Sequence, residues 1–200
     1  MENDKHNKKK GKYFIYSLMF LGCALIVASV CIFIWWQVSI AKNAEKLKEY
    51  VAIINERLPE TQSAVLEEKS DYSMAVLSIE NNDFIGLLTF EKNKSVFPVC
   101  ATWKDVNSFP CRLCGSVYDS TVIIGATEQK GQIDFTESIF VSDTITFTDM
   151  LGNCYSYRVE DIKNSNNADY KNLANENSDM VLFIKRTYSQ EYLIIECKNT

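Results

Sequence analysis

Four groups of side chains in this chain have the types and spacing to do chemistry. Cys111-Arg112-Leu113-Cys114 is a C-x-x-C, the spacing of half a zinc site or of a redox pair. Zinc would need two more ligands, but there is no second C-x-x-C and the one histidine is His6. A redox pair normally opens a helix in an α/β setting; this pair follows Pro110 between two expected strands. It therefore reads as a local disulfide or two ordinary thiols in a loop. Cys197 lies near the end of the last expected strand with no basic partner, which predicts an ordinary thiol pKa of about 8.5. Cys100 and Cys154 bring the cysteines beyond residue 41 to an odd set. Glu128, Asp134 and Glu137 share one stretch and could hold calcium, though such a trio is ordinary in an acidic chain. No metal and no cofactor is expected. Lys185-Arg186 is the fourth group. Desolvation would make Lys185 a nucleophile, and the charge of Arg186 would push its pKa the same way. The plainer reading is a solvated cation at a strand end, with Arg186 able to bind an anion.

These groups have to be positioned by short β-elements. Met180-Val181-Leu182-Phe183-Ile184 and Tyr192-Leu193-Ile194-Ile195-Glu196-Cys197 are dense in β-branched and aromatic residues and are joined by a polar link. They read as a hairpin in a covered sheet, with Lys185 where the first strand opens into the link. Further strands are expected at 73–79, 84–90, 95–101, 121–125, 144–149 and 154–159. Asn81-Asn82-Asp83, Glu91-Lys92-Asn93 and Leu151-Gly152-Asn153 are turns between them, because Asn, Asp and Gly tolerate positive φ. Eight short strands without an intervening long helix predict a mainly β, closed or nearly closed antiparallel-rich barrel. The Asn-rich stretch 164–178 reads as a long surface loop, with a helical turn at 169–173.

Ahead of the strands the texture is helical. In 41–58, Leu47, Tyr50, Val51, Ile54 and Leu58 recur at helical spacing, an amphipathic stalk that Pro59 stops. A second short helix is expected at 61–69. Residues 13–41 carry no charged side chain, and 13–38 are long enough to cross a hydrocarbon core of about 30 Å. A cleavable signal peptide would be shorter and end at a small-x-small site. A lipobox ending at Gly22-Cys23 is opposed by Phe20 and by the apolar run beyond. A single-pass anchor is expected, with Cys23 and Cys31 in lipid and Trp35-Trp36 at its far interface. The net charge of −5 combines +3 on residues 1–12 with −8 on the remainder. The basic tail places the N-terminus in the cytoplasm and the rest outside. The acidic balance argues against a nucleic-acid partner, whose phosphates require a basic face.

Several residues resemble the sortase family. Phe84-Ile85-Gly86-Leu87-Leu88-Thr89-Phe90 followed by Phe97-Pro98-Val99 is similar to its "iGxlxIP…xPV" opening. Thr121-Val122-Ile123-Ile124-Gly125 resembles the strand that in sortases ends in Gly-His. Phe135, Ile139, Ser142-Asp143-Thr144-Ile145, Gly152 and Tyr157-Arg158-Val159 follow the family's middle run, and the last two strands its "ltLxTC…RlvV" ending. The likeness spans residues 84–197. The short final link and the helices ahead of the barrel look most like class B.

The resemblance implies an eight-stranded sortase barrel at 72–200, behind a basic tail at 1–12, an anchor at 13–38 and a helical stalk at 39–71. It also implies a cysteine transpeptidase of Gram-positive bacteria, joining sorting signals to the cell wall. In such enzymes a thiolate attacks, a His moves protons and an Arg stabilises the oxyanion. This chain departs at each of those positions: Ala126 stands for His, Lys185 for Cys and Tyr192 for Arg. With His6 on the cytoplasmic side, no imidazole is left for the outer domain. The expectation is an inactive relative that binds a peptide or protein partner at the cell surface through Lys185, Arg186 and Tyr192. The rival is a sortase-type transpeptidase with altered catalytic residues, Lys185 or Cys197.

Overall fold

Tight turns with positive φ at Glu80 (54°), Lys94 (57°) and Gly152 (85°) fold the β-rich part of the chain back on itself. The computed structural model describes residues 3–58, 74–103, 109–118, 121–129, 132–167, 169, 178–187 and 189–200, with the side chains of 3–15 and 40 excepted. Its strands are β1 (Leu77–Ile79), β2 (Asn82–Phe90), β3 (Ser95–Cys100), β4 (Cys111–Cys114), β5 (Val122–Thr127), β6 (Thr144–Asp149), β7 (Cys154–Ser165), β8 (Met180–Lys185) and β9 (Tyr192–Asn199). They pair in the order β1-β2-β3-β4-β5-β8-β9-β7-β6, and β6 returns to β2. Strands β2 to β9 thus close an eight-stranded barrel, whose β3–β4 joint rests on the single pair Cys100↔Cys111. Most joints are antiparallel; β3–β4 and β5–β8 are parallel.

The count of eight strands agrees with expectation, but the membership differs. The first expected strand is short and pairs only with the start of β2, outside the barrel. Its place is taken by β4, formed by the C-x-x-C expected in a loop. A four-residue segment offers too little alternation to be read as a strand, and its pairing comes from β5 and from the single register pair Cys100↔Cys111. A bulge at Leu113 puts Cys111 in the barrel core and Cys114 on a second cluster outside it. Strand β7 runs on to Ser165, into the stretch expected as loop, because β9 offers partners as far as Tyr192.

The described helical part is one helix, α1 (Asn3–Arg57), which covers the stretch expected as the anchor and the first part of the expected stalk. Residues 16–38 are exposed and apolar, and α1 is long and apolar enough to cross a membrane. The chain forms two compact units, Met1–Lys42 and Asn43–Thr200. Within the second, Leu47, Tyr50 and Ile54 share one face of α1 and are buried in the main core. The Tyr50 ring lies 5.4 Å from both Phe84 and Phe109, and its hydroxyl donates to Glu80 Oε2 at 2.6 Å. The helix expected at 61–69 and the helical turn at 169–173 fall, wholly or almost so, outside the described residues.

The β6–β7 hairpin turns on Asp149, which is fully buried. Its carboxylate accepts from the backbone N–H groups of Leu151 and Asn153, from Asn153 Nδ2 and from the Tyr118 hydroxyl, at 2.9–3.0 Å. Burial pushes the Tyr155 hydroxyl up to about 12, with the Asp149 charge adding to the shift. Burial also raises Tyr118 and Tyr157. Unfolded tyrosine titrates near 10, so these groups stabilise the fold below that pH, and the stabilisation drains away between about 10 and 12. A falling melting temperature above about pH 10, with these tyrosines the last to ionise by phenolate absorbance, is the expected result. A melting temperature flat across that window would contradict it.

Candidate functional site

Period-two alternation gives the β5-β8-β9 sector two apolar faces. Met180, Leu182 and Ile184 of β8 point into the main core, as do Val122, Ile124 and Ala126 of β5 and Leu193 and Ile195 of β9. Ile123, Val181, Phe183 and Ile194 form a second buried cluster on the outer face, joined by Leu113, Cys114 and Tyr192. This is why the last two runs read as continuous hydrophobic strands: they are covered on both sides.

Lys185 is the next outward residue after Phe183, and it is exposed. It stands opposite Tyr192 in the β8–β9 register and beside Thr127 in the β5–β8 register. Phe183 and Tyr192 stack at 4.5 Å with their planes 8° apart. Across β8, Phe183 is level with Gly125, and the Trp103 indole rests on that glycine. A Cβ at Gly125 would lie 2.2 Å from the indole ring, so only glycine lets Trp103 sit there. Trp103 remains half exposed. Sequence reasoning did not single it out; an aromatic just past a strand end, level with a strand glycine, was the available signal.

The strand ends are tied by polar contacts. The Glu128 N–H donates to Lys185 O at 2.8 Å, and the Arg186 N–H donates to Glu191 O at 3.0 Å. The Thr187 hydroxyl donates to Glu128 O, and the Thr136 hydroxyl to the Glu128 carboxylate. Glu128 is therefore engaged in holding loops together, while Asp134 and Glu137 are exposed. Among the described residues, no three metal-binding side chains gather to hold an ion. The Arg186 Nε–H is buried without a hydrogen-bond acceptor among the described residues. No carboxylate there pairs with Lys185 or Arg186 either.

The topology thus brings Ala126, Lys185 and Tyr192 to one end of three adjacent strands. Lys185 and Tyr192 share the outer face. Ala126 does not: its methyl is in the barrel core, level with Ile184. Cys197 is also in the core, and burial pushes its thiol up to about 12 instead of leaving it near the ordinary value.

No protein-family model and no curated protein matches the chain. Solved structures do match it. Sortase C1 from Streptococcus agalactiae is 18% identical, with a TM-score of 0.53, over 81% of this chain and 88% of that one. Sortase A from Corynebacterium diphtheriae is 17% identical, with a TM-score of 0.51, over 80% and 84%. Streptococcus pneumoniae sortase C-3 is 12% identical, with a TM-score of 0.52, over 80% and 84%. The fold is sortase-like. At these identities the likeness is one of fold alone, and the lean toward class B rests on the sequence features. In this sortase-like barrel the outer end of β8 and β9 carries exposed Lys185 beside the stacked Phe183 and Tyr192 rings. Such a surface can bind an anion beside apolar groups. Cys197 is buried in the core, Cys114 belongs to the outer cluster, and the sequence of the second unit contains no histidine.

Proposed function

We propose that this chain is a membrane-anchored, extracellular sortase-like protein that performs no transpeptidation. It binds a sorting-signal peptide, or a sortase or pilus partner, at the surface of a Gram-positive cell. Residues 1–12 would be the cytoplasmic tail, 13–38 the anchor, 39–71 the stalk and 72–200 the outer domain. The lysines ahead of the apolar run support that orientation. One observation carries the reading. At the strand ends where the resemblance expects Cys facing Arg, Lys185 faces Tyr192, and the position expected for His is a core alanine.

The test is to incubate the full-length protein in detergent micelles with a panel of sorting-signal peptides. Binding by calorimetry without cleavage by mass spectrometry is the expected result. Cleavage that disappears in Lys185→Ala or in a cysteine variant would establish the rival enzyme of altered chemistry. Thiol probes give a second check on that rival. Exposed Cys154 should label readily at neutral pH, while Cys197, held as a thiol by burial, should stay unlabelled until the protein unfolds.

A further inference from the structure

The ring of strands is thinnest where β4 meets β3. That joint has one register pair, Cys100↔Cys111, whereas every other joint of the barrel has at least three. The Cys100 N–H donates to Pro110 O at 2.8 Å there, and Arg112 Nε donates to Ala101 O at 3.2 Å. The two residues that face each other are both cysteines. Both belong to the main core, so their side chains leave β3 and β4 on the same face. Partners on neighbouring strands lie about 4.8 Å apart, within the roughly 4.4–6.8 Å between Cα atoms that a disulfide spans. No other cysteine of the second unit has a cysteine opposite it. Cys114 is level with Ile123, Cys154 with Thr148, and Cys197 with Met180 and Val159. The spacing of the C-x-x-C suggests a bridge within the motif, but the bulge turns Cys111 into the core and leaves Cys114 on the outer cluster. Those two sulfurs belong to opposite faces of β4.

We propose that Cys100 and Cys111 are joined by a disulfide that staples β4 to β3. Both are thiols in this structure, and Cys111 Sγ donates to Phe109 O at 3.2 Å, a weak bond that the bridge replaces. The co-reactant is an aliphatic disulfide. As the Sγ–Sγ bond forms, the two cysteines give up two electrons and two protons, and the co-reactant takes them to become two thiols. Cys111 is fully buried and Cys100 nearly so, so the exchange takes place as the barrel closes, before β4 docks. The location outside the cell proposed above is one in which such a bridge persists. It closes the short loop from residue 100 to residue 111 and so takes conformational freedom chiefly from the unfolded chain.

Lys94, Lys104 and Arg112 place Cys100, Cys111 and Cys114 in three separate tryptic peptides, so each possible pairing has its own mass. The full-length protein is unfolded with reductant, refolded in detergent micelles with oxidised and reduced glutathione, alkylated and digested. Peptide 95–104 joined to peptide 105–112 is the expected product, and Cys114→Ala should form it equally well. Reducing the refolded protein should lower its melting temperature by about 5–10 °C, a shift absent in Cys100→Ala and Cys111→Ala. The peptide masses decide the pairing even if those two variants do not fold. A bridge from Cys111 to Cys114, or alkylation of both Cys100 and Cys111 after refolding, would overturn the proposal. A bridge made on refolding but missing from protein alkylated in its own membrane would overturn it as a native modification, and would count against the outer location while leaving peptide binding untouched.

Discussion

Replacing Asp149 with alanine is expected to destabilise the second unit by about 3–5 kcal/mol, because several hydrogen bonds to one charged acceptor, each worth about 1.5–3 kcal/mol, are lost together. Its carboxylate takes two backbone N–H groups of the turn, the Asn153 amide and the Tyr118 hydroxyl, and it is fully buried. Alanine would leave four donors without their shared acceptor around a fully buried position. Asp149→Asn keeps the shape but turns one acceptor into a donor, so a smaller loss of about 2 kcal/mol is expected. Denaturant unfolding of the full-length protein in micelles reads both. The damage should spread, because β6 closes the barrel on β2 and β7 carries β9, where Tyr192 lies. A loss under about 1 kcal/mol for Asp149→Ala would mean the turn holds without its carboxylate.

Phe84→Ala is expected to cost about 3–5 kcal/mol. The ring is fully buried between Tyr50 of α1 and Phe109, 5.4 and 5.5 Å away, with the Phe84–Phe109 pair edge-to-face at 87°. Truncation removes the transfer free energy of the ring and leaves a cavity that a closed barrel cannot collapse to fill. Tyr50→Phe is the matched control. It keeps the ring packing and removes only the bond to Glu80, so about 0.5–1 kcal/mol should be lost. If the two variants unfold at the same denaturant concentration, the second half of α1 is not part of the barrel core.

Much of this architecture could be read from residue order. The 13–38 run has no charged side chain, and length with apolarity is a property of composition that folding does not alter. The helical spacing of Leu47, Tyr50 and Ile54 marked the face that the barrel buries. The turn chemistry of Asn153 and Gly152 placed the β6–β7 hairpin, because those residues act over a few positions of chain. Strand β4 was not legible. Cys111–Cys114 has no pattern of its own, and its conformation is imposed by β3 and β5. The ordinary pKa expected for Cys197 failed for the same reason. Inward or outward facing at a strand end depends on register, and register puts that thiol in the core.

Residue identity alone established that nothing beyond the apolar run can shuttle a proton as an imidazole, since the one histidine precedes it. It also established which residues stand at the three matched positions. Which of those residues face one another was decided by strand pairing across distances of dozens of residues. Parallel β5–β8 and antiparallel β8–β9 put Lys185 opposite Tyr192 on the outer surface and turned Ala126 inward. The physical reason is range. Charge, hydrophobicity and turn preference belong to a residue and its near neighbours, whereas a shared face exists only once hydrogen-bond register joins strands that the chain keeps apart.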